Sequence, residues 1–113
     1  MPQYMLLLRN NGDSWRKLSP DDMQKTIEKY LAWRKKPFVV GGAGLVDGSG
    51  RVVQKKSDSV RVTEGPFSES TEVMGGYYTI EAENYDEAVQ LSRDNPNLDF
   101  GTIEIREVIV SHS

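Results

Sequence analysis

Carboxylates at Glu64, Glu69 and Glu72 surround a Gly65-Pro66-Phe67 element, so acid–base chemistry is the first reaction class the sequence brings forward. In a walled cleft, burial raises a carboxyl pKa and makes the group a competent proton acceptor; on a solvated loop the same three are ordinary surface charges. Gly65 and Pro66 read as shape, one permitting φ > 0 and the other fixing φ, with Phe67 as an anchor into the core. Arg9 and Arg61 are the side chains to hold an anionic ligand, because a guanidinium meets a carboxylate with two parallel N–H donors. The alternative for both is pairing with the chain's own acids. Ser68 lacks a nearby base, since the single histidine, His112, stands near the end of the sequence where chains fray. Tyr77 and Tyr78 alternate on one strand, so only one of them looks into a given cleft. The candidate set is therefore Glu64, Glu72 and Tyr77 for catalysis and Arg9, Arg61 and Ser68 for ligand binding, with no metal site and no cofactor.

Gly41-Gly42-Ala43-Gly44 follows a strand, yet no Gly-Lys-Ser/Thr closes it and no helical pattern begins after it. It reads as a place where a sheet curls rather than as a phosphate loop. Composition narrows the chemistry further. The absence of cysteine excludes disulfides, thiolate ligands and a cysteine nucleophile. Fourteen basic and seventeen acidic side chains leave a net charge of −3, which disfavours direct nucleic-acid binding. Lys35-Lys36 and Lys55-Lys56 are too sparse for a nucleic-acid footprint. No window reaches the ~18 apolar residues of a membrane span, and the opening segment lacks the basic region of a signal peptide. A single domain over residues 1–113, located in the cytoplasm, is expected.

The elements that must position these groups follow from periodicity. Gln3 to Arg9 is short and continuously apolar at its centre, suiting a buried strand, and Asn10 to Ser14 supplies a turn. Ser19-Pro20-Asp21-Asp22 is a helix start with Ser19 as N-cap and Pro20 at the first helical position. Met23, Ile27, Tyr30 and Leu31 then recur at helical spacing and are expected to face a core, with Arg34 over its edge and Pro37 ending the helix. Trp33 falls off that stripe and reads as an exposed indole capping the helix against a partner; Trp15 reads as a lid over a cleft. Phe38 to Leu45 and Arg51 to Gln54 are expected to form a hairpin, with Ser59 to Thr63 extending its arm. Gly75 to Ala82 is a strand. Asn84 caps a second helix whose Tyr85, Ala88, Val89 and Ser92 share a face. Thr102 to Val110 closes the domain as a strand whose change of apolar phase between Ile105 and Val108 suggests a bulge.

The order β-α-β-β, irregular segment, β-α-β is that of a ferredoxin-like α+β fold, an antiparallel sheet with two helices on one face. Tyr77, Tyr78, Ile80, Ile103 and Ile105 supply apolar groups to both faces, so the uncovered face calls for a second copy and a homodimer is expected.

The run Thr63-Glu64-Gly65-Pro66-Phe67-Ser68-Glu69-Ser70-Thr71-Glu72-Val73-Met74-Gly75-Gly76-Tyr77-Tyr78 closely resembles the signature of the YCII-related family whose members carry a DGPF motif. The likeness extends to Asn84-Tyr85-Asp86-Glu87-Ala88 and to Tyr4-Met5-Leu6-Leu7 with Ser19-Pro20-Asp21-Asp22-Met23, and so covers most of the chain. It implies a ferredoxin-like domain that pairs face to face as a dimeric α/β barrel. One branch of that family, with dehydrochlorinase activity, uses an early His-Asp pair, whereas this sequence has no histidine before His112. Glu64 stands where the motif has Asp, a change of one methylene.

Two functions follow. One is a dimer that binds a small molecule, enzyme-like and cofactor-independent, with acid–base groups in a cleft lined by Arg9, Arg61, Glu64, Ser68, Glu72 and Tyr77. The other is a non-catalytic regulatory or protein-interaction module, which the resemblance associates with an extracytoplasmic-function sigma factor. A buried carboxylate facing an arginine would favour the first, and a flat apolar surface bearing Trp15 or Trp33 the second.

Overall fold

The computed structural model of the protein describes residues 1–65 and 73–109. Strand β1 (Gln3–Asn10) buries Tyr4, Leu6 and Leu8 on one face and leaves Met5 and Leu7 half-buried on the other. The continuous apolar run thus resolves into two faces because side chains alternate across a strand. A short helix α1 (Gly12–Arg16) occupies what the sequence suggested as a plain turn. Asn11 starts it, its side chain accepting the Asp13 backbone N–H at 2.9 Å. Helix α2 (Pro20–Arg34) begins as expected, with the Ser19 hydroxyl accepting the Asp22 N–H at 3.1 Å and Pro20 in the first turn.

The main sheet has the order β2-β5-β1-β6, where β2 is Val39–Gly44, β5 is Val73–Glu81 and β6 is Gly101–Glu107, all neighbours antiparallel. Together with α2 and α3 (Tyr85–Ser92) this is the ferredoxin-like arrangement. On β1, Leu6 stands between Tyr78 of β5 and Ile105 of β6, and Leu8 between Gly76 and Ile103. The core under the helices consists of Tyr4, Leu6, Leu8, Trp33, Tyr78, Ile80, Ala82 and Ala88, with Ile103 and Ile105 packed against it. Tyr78, Ile80, Ile103 and Ile105 therefore all serve the helix-covered face, and the open face carries Met5, Leu7, Tyr77 and Thr79 instead.

Four local expectations are corrected. The hairpin forms between β3 (Gly50–Lys56) and β4 (Ser59–Gly65), turning at Ser57 with φ 57°, while β2 pairs with β5. Pairing with β5 makes β2 an edge strand of the main sheet, its residues half-buried or exposed, whereas a hairpin with β3 alone would have left it outside that sheet. Pairing of β6 with β1 is uninterrupted, and the apolar phase breaks after Ile105 because the strand ends at Glu107. The sheet's irregularities lie instead between Leu8 and Arg9 and between Val39 and Gly41. On α3 only Ala88 and Ser92 are buried, Tyr85 and Val89 remaining exposed.

The fourth correction concerns α2. Trp33 is 3% exposed, whereas Ile27 and Leu31 are 38% and 54% exposed. The buried row is Thr26, Tyr30 and Trp33 at i, i+4 and i+7, with Tyr30 half-buried; Ile27, Leu31 and Arg34 form the next row round the helix. An indole buries more apolar area than a leucine provided its N–H finds an acceptor. Here Trp33 Nε1–H donates to Asp94 Oδ1 at 2.9 Å, and the ring lies 4.8 Å from Tyr78 and 5.5 Å from Phe38, centroid to centroid. Lys36 also donates to Asp94.

Close approach of backbones dictates glycine at Gly42, where a Cβ would lie 2.7 Å from the Tyr77 carbonyl oxygen and 2.8 Å from Tyr78 Cδ1. At Gly41 nothing lies within 4 Å of the same position. Gly42→Ala should cost about 1–3 kcal/mol in urea denaturation, and Gly41→Ala should stay within about 0.5 kcal/mol; equal effects would contradict this packing. The Lys36 and Trp33 hydrogen bonds hold the Asp94 carboxyl below the usual carboxylate range. Its contribution is complete above the unfolded value of about 3.9 and is lost as pH falls through the lower folded pKa. Asp94→Asn should flatten the acid limb of the stability–pH curve below about pH 4 while leaving the slope above it unchanged.

Candidate functional site

A cleft of about 1150 Å³ opens between α2 and one end of the sheet. Its helical wall is the row Ile27, Leu31 and Arg34 with Tyr30 beside it. Opposite stand Leu45 and Val46 of the β2–β3 connection, and Leu8, Gly76 and Tyr78 line it from the sheet. Trp15 of α1 closes one side, edge-on to Tyr30 at 6.5 Å and to Phe100 at 5.9 Å. The walls are thus largely apolar with a few polar groups, the usual make-up of a small-molecule site.

Those polar groups differ in how far they are already engaged. Asn97 is 1% exposed; its Nδ2 donates to the backbone oxygens of Arg9 at 3.2 Å and Thr102 at 2.9 Å, and its Oδ1 accepts the Tyr30 hydroxyl at 3.0 Å. The Tyr78 hydroxyl donates to the Tyr30 backbone oxygen at 2.9 Å. Burial is the main cause that pushes the Tyr78 phenol up to about 12, the nearby Arg34 charge acting in the other direction. Burial, with Tyr78 and Asp99 adding to it, lifts the Tyr30 phenol well above its ordinary range. Both phenols therefore keep their protons at neutral pH and spend them inside the protein. Arg16 Nε lies 3.3 Å from Asp47 Oδ2 and Arg16 Nη1 3.4 Å from Asp13 Oδ1, so an ion pair ties α1 to the β2–β3 connection at the cleft.

Of the residues anticipated from sequence, Arg9, Glu64 and Tyr77 border this cleft. The Arg9 guanidinium, however, lies 3.4 Å from Glu104 Oε1, on the sheet face opposite the helices. Tyr77 alternates with the buried Tyr78 and so also belongs to the open face. Glu64 is exposed, at the root of the β3–β4 arm. Arg61 sits further along that arm and does not line the cleft. Ser68 and Glu72, with Pro66, Phe67, Glu69 and His112, lie outside the described residues. Neither tryptophan forms a flat exposed surface, Trp33 being in the core and Trp15 in the cleft wall. The row Ile27, Leu31 and Arg34 and the buried Asn97 are the groups that sequence reasoning missed. The row's periodicity was visible, but its direction depends on which side of α2 the indole takes. Among the described residues no three acidic or histidine side chains are grouped to hold a metal ion.

The YCII-related domain matches residues 3–111. The chain belongs to the YCII-related domain family. No curated protein matches it. Among solved structures it is similar to 5-chloro-2-hydroxyhydroquinone dehydrochlorinase from Burkholderia phenoliruptrix AC1100 in complex with 2,5-dihydroxybenzoquinone. That similarity has 16% identity and a TM-score of 0.49, and it covers 98% of this chain and 95% of the other. Among the described residues of this YCII-related protein, no helix is long and apolar enough to cross a membrane.

The Arg16–Asp47 pair is exposed on both sides, so Arg16→Ala should change global stability by about 1 kcal/mol or less. Amide hydrogen exchange across residues 45–49 should nevertheless quicken, since the pair holds that segment against α1. Unchanged exchange there would show that the connection is held by other contacts.

Proposed function

We propose that this YCII-related domain binds a small molecule in the cleft beneath α2 and acts as a homodimer. The observation that carries the reading is the cleft itself: apolar and aromatic walls interrupted by polar groups, of which Asn97, Tyr30, Tyr78 and the Arg16–Asp47 pair are already engaged within the protein. Glu64 is the proton acceptor of the proposed site, because Asp47, the other carboxylate at the cleft, is paired with Arg16. The chemistry is acid–base and cofactor-independent. Arg9 and Tyr77 serve the face between copies rather than the interior of the cleft.

Two features support the second copy. The open sheet face carries Met5, Leu7, Tyr77 and Thr79, only half-buried, with no helix over it among the described residues. The β3–β4 arm is a two-stranded sheet separate from the main one, with Val53, Val60 and Val62 exposed. A lone hairpin is marginal in water and needs a surface to pack on. Projection of the arm also expands the chain, whose radius of gyration is 16.0 Å, against about 13 Å for a compact domain of this length. Arm residues 50–65 carry four basic and two acidic side chains, net +2; the remaining ten basic and fifteen acidic side chains give the body −5. Opposite signs favour the arm of one copy lying on the body of another over an unrelated regulator.

Two measurements test the proposal. Sedimentation equilibrium should give about twice the 12.7 kDa chain mass, with Val60→Lys/Val62→Lys on the arm and Leu7→Glu on the open face shifting the protein toward monomer. A thermal-shift screen against carboxylates, phenols and sugars should find compounds that raise the melting midpoint, since a ligand of the native state stabilises it. A cooperative melt untouched by every compound at millimolar concentration would remove the ligand-binding reading.

A further inference from the structure

Three arginines border the cleft, and two of them are committed. Arg9 is held by Glu104, and Arg16 by Asp47 and Asp13. Arg34 makes no ion pair or side-chain hydrogen bond among the described residues. It also closes the helical row whose other members, Ile27 and Leu31, stay exposed on the cleft side. At 1.5 Å of rise per residue, Leu31 lies about 4.5 Å and Ile27 about 10.5 Å along the helix axis from Arg34. The wall therefore reads, in order, apolar, apolar, cation. A free guanidinium beside apolar surface recognises a carboxylate in fork geometry, and the apolar stretch recognises a body attached to it.

We infer that the cleft takes a carboxylate carried on an apolar or aromatic body, with the carboxylate on Arg34 and the body along Leu31 and Ile27. This rests on the ligand-binding reading above and gives it a substrate class. Neutral molecules of the same shape keep the apolar contacts and lose the ion pair; acetate keeps the charge and loses the body. Length is selected as well, because the body must reach Ile27 to cover the exposed row.

The test is calorimetric titration of the dialysed protein with hexanoate, octanoate and cinnamate, each beside its primary amide, and with acetate. The acids should bind at least roughly tenfold tighter than their amides, and acetate should not bind detectably. Arg34→Gln should bring acid and amide to the same affinity, and Arg34→Lys should restore part of the difference because it keeps charge without the fork. Arg34 is exposed at the end of α2, so both variants should melt close to wild type, which a thermal scan verifies. Leu31→Asp should weaken acids and amides alike. Amides binding as tightly as acids, or acids binding Arg34→Gln unchanged, would overturn the inference and leave the ligand-binding cleft standing. Binding of acetate as tight as octanoate would remove the apolar body from it. No binding by any acid or amide overturns the inference, while the ligand-binding reading stands or falls with the thermal-shift screen, which also covers phenols and sugars.

Discussion

Burial of Trp33 sets which side of α2 faces the sheet, and the site depends on that rotation. Trp33 sits between α2 and the sheet with its ring against Tyr78 and Phe38, and its N–H reaches Asp94 after α3. A helix turned so that Leu31 filled this space would bury Ile27 and leave the indole in water, forfeiting both the larger apolar area and the aromatic contacts. With the indole inside, the neighbouring row of apolar groups and Arg34 is turned outward over the end of the sheet. Core packing and cleft chemistry are thus two sides of a single choice made at Trp33.

Much of the frame was legible in the sequence because it rests on local chemistry. The Ser19 and Asn84 caps, Pro20 in the first turn and the alternation of β5 around Tyr77 and Tyr78 each need only a few neighbouring residues to be read. What was not legible depends on partners distant in sequence. The pairing of β2 with β5 spans the whole arm, so a reader of local turns joins β2 to β3. Likewise both rows of α2 have helical spacing, and only Asp94, far along the chain, decides that the indole takes the interior. Arg9 was expected to hold a ligand because nothing nearby in sequence announces Glu104, its neighbour across the β1–β6 ladder.

Asn97 gives the cleft a different kind of stiffness. Its single buried amide joins the end of β1, the start of β6 and the Tyr30 hydroxyl of α2, so sheet and helix meet at one fully hydrogen-bonded group. Polar links of this sort are costly to leave half-made, which favours one arrangement of the wall over several loose ones. Trp15 packs on Tyr30 from the other side and extends the same rigid assembly to α1.

The arm also bears on how the chain avoids stacking on copies of itself. Neither β3 nor β4 has an outer partner among the described residues, so both long edges of the hairpin keep bare backbone donors and acceptors beside exposed valines. Such edges template open-ended strand addition unless charge interrupts them. Lys55 and Lys56 near the tip of β3, with Arg51 on the same strand and Arg61 on β4, put like charges along any stack of identical arms. The arm thus carries its own safeguard against fibrous aggregation, one that a surface of opposite charge relieves and another arm does not.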